Sequence, residues 1–215
     1  AVEIGTHDGP HRLAVINDRG KILRELPQSG DFIRPVWDGS GRICALTYKS
    51  EHVGRWSSSG RELLPIEGKV AQAQMLALSP SGQRVVILDS FTSVLLAHFD
   101  QALVVDRPLN IRLSYIAQPV WLDDSTLLLV GRVRDGQPAG LFTVDTSNEK
   151  LTAVPTPDLD LRDFVSVSPD HRHVVVCGTR GGKEPTWSLW VVSLDAATKP
   201  RRITSGSEDV EPAWR

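Results

Sequence analysis

The chain has 215 residues, 40% of them apolar and 23% charged, with a formal net charge of −2. That balance is ordinary for a globular protein; it has neither the basic excess of a nucleic-acid binder nor the acidic run of a disordered tail. Apolar runs such as Leu127–Val130 are far too short to cross a bilayer, so no direct membrane insertion by this chain is expected.

Read from the N-terminus, the chain is a succession of short apolar runs separated by Gly, Asp, Ser and Pro turns. "AVEIGTH", "HRLAVIND" and "KILRELPQ" come first, with no leader segment, so the chain reads as processed or trimmed and export stays open. Then follow "IRPVW", "RICALTY", "HVGRWSS" and "ELLPIEG"; "QMLALS", "RVVILDS", "SVLLAHF" and "ALVVDRP"; "AQPVWL", "TLLLVGRV", "GLFTVDT" and "KLTAVPT"; "DFVSVS", "HVVVCGT", "SLWVVSLD" and "PRRITSG"; and last "DVEPAWR". Val, Ile, Leu and Thr in runs of this length predict β-strands. Apolar spacing of three and four is nowhere sustained long enough to predict a helix. Cys44 and Cys177 both fall inside apolar strand patterns, which predicts two buried free thiols rather than a disulfide framework.

The strands repeat in fours. Aligned on the residue just before the first turn, the units place Trp37, Leu78, Trp121, Val167 and Trp214 in register, at gaps of 41, 43, 46 and 47 residues, and 38 from Trp214 round to Trp37. Four-stranded units at this period predict a β-propeller. The expected fold is therefore all-β: a single domain over 1–215 with five four-stranded blades near 33–73, 74–116, 117–162 and 163–209, and a fifth made of 210–215 plus 1–32. N- and C-terminal strands would share that last blade and close the ring, removing exposed sheet edges. A two-domain sandwich and a six-bladed ring with one blade missing are the alternatives. Trp37, Trp121 and Trp214 are expected to pack blade against blade.

The hairpins "SVSPDHRHVVV" and "LALSPSGQRVVIL" resemble the Ser-Pro-Asp-Gly repeat of TolB-like propellers, which also occurs in the propeller domains of prolyl-oligopeptidase-type peptidases. "DFIRPVWDGSGRICAL" and "AQPVWLDDSTLLLVGR" resemble blades of LpqB-type lipoproteins. Ser81 stands where the repeat has Asp, and His171 where it has Gly. The resemblance implies an extracytoplasmic or cell-envelope module that binds another protein, such as a membrane sensor or envelope component.

Motifs for chemistry are weak. No G-x-S-x-G elbow is present, and "TRGGKE" lacks the pattern of a phosphate loop. His7 and His11 sit on a Gly- and Pro-containing tip, His171 and His173 lack a third ligand, and the aspartates of "TPDLDLRD" lack calcium-loop spacing. No cofactor, no metal and no catalysis are expected. Asp31, Asp163, Asp209 and Glu211 are the carboxylates to weigh if the ring acts on a glycoside. A carbohydrate-acting or carbohydrate-binding ring, and a regulatory propeller of a larger peptidase, stay open as alternatives.

The repeat also fixes sidedness. Loops entering the first strand of a unit, and those joining its second and third strands, emerge on one face. They are long and varied, and loops on a rigid scaffold commonly hold function. Asp31, Arg34, Arg132, Arg134, Arg162, Asp163, Arg180, Lys183, Trp187 and Glu211 are the candidate partner-binding residues, with Arg112, Tyr115 and Phe164 among them. Arg and aromatic side chains are typical anchors of protein interfaces. The expected partner is another protein, not nucleic acid, and the chain itself is expected to be a monomer.

Overall fold

The structure is a computed structural model that describes residues 2–4, 12–17, 19–29, 32–38, 40–47, 52–57, 60–180, 186–195 and 198–204. The described residues form strands and turns, with no helix. The chain makes two compact units: 1–90 together with 94–108, and 91–93 together with 109–215.

In the first unit, β1 (Val2–Ile4), β2 (Arg12–Ile16) and β3 (Ile22–Glu25) form an antiparallel sheet in that order. Two meanders follow: β4 (Phe32–Trp37), β5 (Ile43–Thr47), β6 (His52–Ser57) and β7 (Gly60–Glu67); then β8 (Ala73–Leu78), β9 (Arg84–Asp89), β10 (Val94–Phe99) and β11 (Leu103–Leu109). Each is one of the four-stranded units legible in the sequence. The two meanders are joined to each other. Their last strands pair in parallel, Leu103 with Ile66 and Val104 with Glu67, giving one eight-stranded sheet, β4-β5-β6-β7-β11-β10-β9-β8. Gly68, just past this pairing, has φ +123°, and a Cβ there would lie 2.7 Å from Cβ of Val105 on β11. Both the backbone and the close approach favour glycine at that point. At the sheet's other two edges, Arg34 of β4 donates to the Gln74 carbonyl of β8 at 2.9 Å. The nearly closed sheet encloses Cys44, Leu46, Val53, Leu76, Val85, Ile87, Leu95, Ala97 and Leu103. Both cysteines are buried thiols outside any disulfide, as expected. A second cluster joins Leu13 and Leu26 to Phe32, Ile43, Ala45 and Trp56, whose ring meets Phe32 edge-on at 4.8 Å.

The second unit holds β12 (Tyr115–Ile116), β13 (Val120–Trp121), β14 (Thr126–Arg132), β15 (Gly140–Asp145) and β16 (Leu151–Val154), with β12 and β13 both paired to β14. It also holds the meander β17 (Asp160–Val167), β18 (His173–Thr179), β19 (Ser188–Ser193) and β20 (Arg201–Arg202). Leu128, Val130 and Leu141 of the first sheet pack with Leu161, Val165, Val174, Val176 and Trp190 of the second.

The turn signature of the repeat has a local cause. Asp38 Oδ1 takes the Arg42 N–H at 2.8 Å, Ser79 Oγ the Arg84 N–H at 3.2 Å, and Ser168 Oγ the His173 N–H at 3.0 Å. One buried oxygen at the same point of each hairpin thus satisfies the returning strand. Gly41 (φ +78°) and Gly82 (φ +71°) take the left-handed position, and His171 takes it at φ +56°. His171 is held there by a hydrogen bond between its Nδ1 and the Leu122 carbonyl.

The strand that opens each meander is irregular. Arg34 and Pro35 stand against one residue of β5, and Gln74 is extra in β8. Residues 117–119 interrupt β12 and β13, and 162–164 stand against one residue of β18. A bulge flips the alternation beyond it. Trp37, paired with Ile43, lies on the face of Phe32 yet is 48% exposed, which corrects the expectation that it packs blade against blade; Trp121 is buried. Trp214 lies outside the described residues.

Candidate functional site

Strand ends meet at one end of the second unit: β14, β16 and β18 finish there, and β12, β15, β17 and β19 begin there. The bulge of β17 brings Arg162, Asp163 and Phe164 to this end. Asp163 Oδ1 accepts a hydrogen bond from the Tyr115 hydroxyl of β12. The Tyr115 ring is stacked on Phe91, with centroids 5.6 Å apart and planes at 22°, and the Arg132 guanidinium lies 5.0 Å from the same ring. Gly131, paired with Ile116, has no room for a side chain, since a Cβ would lie 2.7 Å from the Tyr115 carbonyl oxygen and 2.7 Å from Leu113. Tyr115 is therefore held by its ring, its hydroxyl and its backbone. Burial pushes its phenol above the ordinary value, and the hydrogen bond to Asp163 and that carboxylate's charge push it further. It is a fixed donor, not a base.

Two further guanidinium groups lie on rings beside it. Arg162 sits 4.2 Å from the Trp187 centroid and Arg180 sits 4.7 Å from the Trp190 centroid. Trp190 is anchored by its indole N–H, which donates to the Gly178 carbonyl at 3.1 Å. The loop from Val133 to Pro138 is tied to β17 through Ala139. Its N–H donates to Asp160 Oδ1 at 2.8 Å, and its carbonyl accepts the Leu161 N–H at 3.0 Å. Arg134 is exposed on that loop, beside Val133 at 52% exposure.

The structure thus brings Arg132, Arg134, Arg162, Asp163, Arg180 and Trp187 to one end of the second unit. Arg34 lies in the first unit, where its guanidinium holds the Gln74 carbonyl and its backbone is left-handed at φ +53°. Asp31, Lys183 and Glu211 lie outside the described residues, as do His7, His11 and Asp209. Phe91 and Trp190 are the residues that sequence reasoning passed over. Phe91 sits between β9 and β10, on a second-to-third-strand tip that the repeat assigns to the long-loop side, so an aromatic there was a usable signal. The aspartates of residues 156–163 face separate tasks: Asp160 takes a backbone N–H and Asp163 a phenol.

A contrasting depression of about 480 Å³ lies in the first unit, lined by Arg42, Arg55, Ser57, Gly60, Arg61 and Glu62. Its cations have partners close by. Arg42 meets Asp38 at 2.5 Å, Arg55 pairs with Glu62, and Arg61 donates to the Gln28 carbonyl at 3.2 Å.

No protein-family profile matches the chain, and no curated protein matches it. Solved structures do. A TolB from Agrobacterium tumefaciens superposes with TM-score 0.64 at 19% identity, over 86% of this chain and 65% of that one. The hydrazine synthase of Kuenenia stuttgartiensis gives TM-score 0.61 at 13% identity, over 90% of this chain and 60% of that one. A chain of a nidogen/laminin complex gives TM-score 0.69 at 14% identity, over 96% and 79%. The chain therefore spans less than two thirds of the first two. Likeness at such low identity speaks to architecture alone, and the architecture it shows is a propeller fold.

Proposed function

We propose that this chain is a non-catalytic protein-binding module of five four-stranded blades, part of a bacterial envelope or signalling protein outside the cytoplasm. The long-loop end of its second unit is the surface it offers to a partner. One observation carries the reading: four arginines and the rings of Phe91, Tyr115, Trp187 and Trp190 are gathered at one end, on strand ends and a bulge of a buried sheet pair. Large, rigid aromatic groups with guanidinium neighbours are the side chains that anchor protein interfaces. The groups that could do chemistry there have other occupations, Asp163 accepting from Tyr115 and Tyr115 kept protonated. The five-blade count rests on the period of the sequence, and the extracytoplasmic placement on the TolB-like resemblance.

The test is site-specific photo-crosslinking in the source cell, with the crosslinker at Phe91 or Val133, and at Leu23 of the first unit as an exposed control. One protein captured from both Phe91 and Val133 but not from Leu23 is the expected result. Equal capture from all three positions, or capture from none, refutes the reading.

A further inference from the structure

Arg132, Arg162 and Arg180 share one setting at this end of the second unit. Each guanidinium lies against an aromatic ring, at 5.0, 4.2 and 4.7 Å from its centroid. Among the described residues, none of these three and not Arg134 makes an ion pair with a carboxylate. Two carboxylates at this end are taken by neutral donors, Asp163 by the Tyr115 hydroxyl and Asp160 by the Ala139 N–H. A guanidinium that rests on a ring uses its face and keeps its in-plane N–H groups directed outward. Its long side chain is already ordered, so less entropy is lost when a ligand docks. The result is three preset forks whose geometry matches carboxylate.

We propose that this end of the second unit receives an acidic segment of the partner protein, with Glu or Asp carboxylates bound by Arg132, Arg162 and Arg180. The proposal rests on the protein-binding reading above and names the chemistry of the partner. Two features favour an acidic peptide over nucleic acid. The chain has net charge −2, and Asp135, Asp158, Asp160 and Asp163 lie among the arginines, which opposes a continuous phosphate backbone but leaves gaps for spaced carboxylates. In addition, Arg162 and Arg180 cover ring faces on which bases would have to stack.

The probe is a short fluorescein-labelled peptide of alternating Glu and Ser, with the Gln-Ser peptide and oligodeoxythymidine as comparisons, followed by fluorescence anisotropy at two salt concentrations. Binding of the Glu-Ser peptide alone, weakened about tenfold by Arg162→Ala and again by Arg180→Ala, supports the proposal; tenfold is about 1.4 kcal/mol. Arg162→Lys keeps the charge without the fork and should lose most of the same affinity. Far-UV circular dichroism and melting establish that the variants are folded. Equal binding of the Glu and Gln peptides, indifference to both substitutions, or tighter arginine-dependent binding of oligodeoxythymidine overturns it. The two readings fail separately. A partner crosslinked at Phe91 and Val133 that excess Glu-Ser peptide does not displace overturns the acidic segment and leaves the platform standing. Arginine-dependent peptide binding without any crosslinked protein overturns the platform and leaves the anion-binding arginines.

Discussion

Replacing Gly131 by Ala tests how the site is held. Gly131 lies in β14, paired with Ile116, and it is not in the left-handed backbone region, so alanine meets no conformational penalty there. What it meets is contact: Cβ would lie 2.7 Å from the Tyr115 carbonyl oxygen and 2.7 Å from Leu113 Cδ1. Leu113 can change rotamer, but the carbonyl belongs to β12 and moves only with it. Overpacking of this kind costs about 1–3 kcal/mol. For a chain of this length that lowers the melting temperature by roughly 2–12 °C. The displacement also has a direction, since β12 moves away from β14 and takes Tyr115 out of reach of Asp163. Gly140, across the next strand pair, is the internal control: a Cβ there meets only the Phe142 ring at 3.5 Å, an ordinary contact, and Gly140→Ala should change stability by less than about 0.5 kcal/mol. Differential scanning fluorimetry reads the stabilities, and tyrosine absorbance titration reads the phenol, which should fall back toward its ordinary value in Gly131→Ala alone. Equal melting of the two variants, or an unchanged phenol in Gly131→Ala, refutes the argument that the missing side chain positions Tyr115.

Three other outcomes are expected. Burial alone would raise the Asp38 carboxyl, but the Arg42 and Ser40 backbone N–H groups, the Ser40 hydroxyl and the Arg42 guanidinium outweigh it and hold it below its ordinary 3.8. Its contribution to stability is thus full above pH 3.8 and lost as pH falls through the lower folded-state value. Urea midpoints measured from neutral pH downward should fall below about pH 4 and fall less steeply in Asp38→Asn, itself about 1–3 kcal/mol less stable at neutral pH. Burial, then the nearby Asp38 charge, pushes the Cys44 thiol up to about 12. Iodoacetamide should therefore leave Cys44 and the equally buried Cys177 unlabelled in the native protein and alkylate both in denaturant, as read by mass spectrometry. Trp56 is 1% exposed, meets Phe32 edge-on and donates to the Pro27 carbonyl at 3.0 Å, so Trp56→Ala should cost about 3–5 kcal/mol in chemical denaturation.

Strand content, the grouping of strands in fours and the turn chemistry were all legible from residue order, because they arise from short runs of neighbouring residues and their period. Alternation of Val, Ile and Leu sets each strand, and one Asp or Ser at the start of each hairpin satisfies the returning strand, as Asp38, Ser79 and Ser168 do. Period alone placed Arg132, Arg134, Arg162, Asp163, Arg180 and Trp187 on the long-loop side. The pairings that give those residues partners depend on contacts between strands far apart in the chain. The bulge in β17 is set by how three residues fit against one of β18, and it decides that Asp163 meets Tyr115 and Arg162 meets Trp187. The bulge in β4 likewise turns Trp37 to the face of Phe32 and Ile43, where alternation from Phe32 would put it on the other. The parallel join of β7 to β11 has no trace in either strand's own residues, because an edge looks the same whether or not another edge will come to cover it. The sequence by itself determined what each unit is; only packing between units of the repeat decided which side chains face one another.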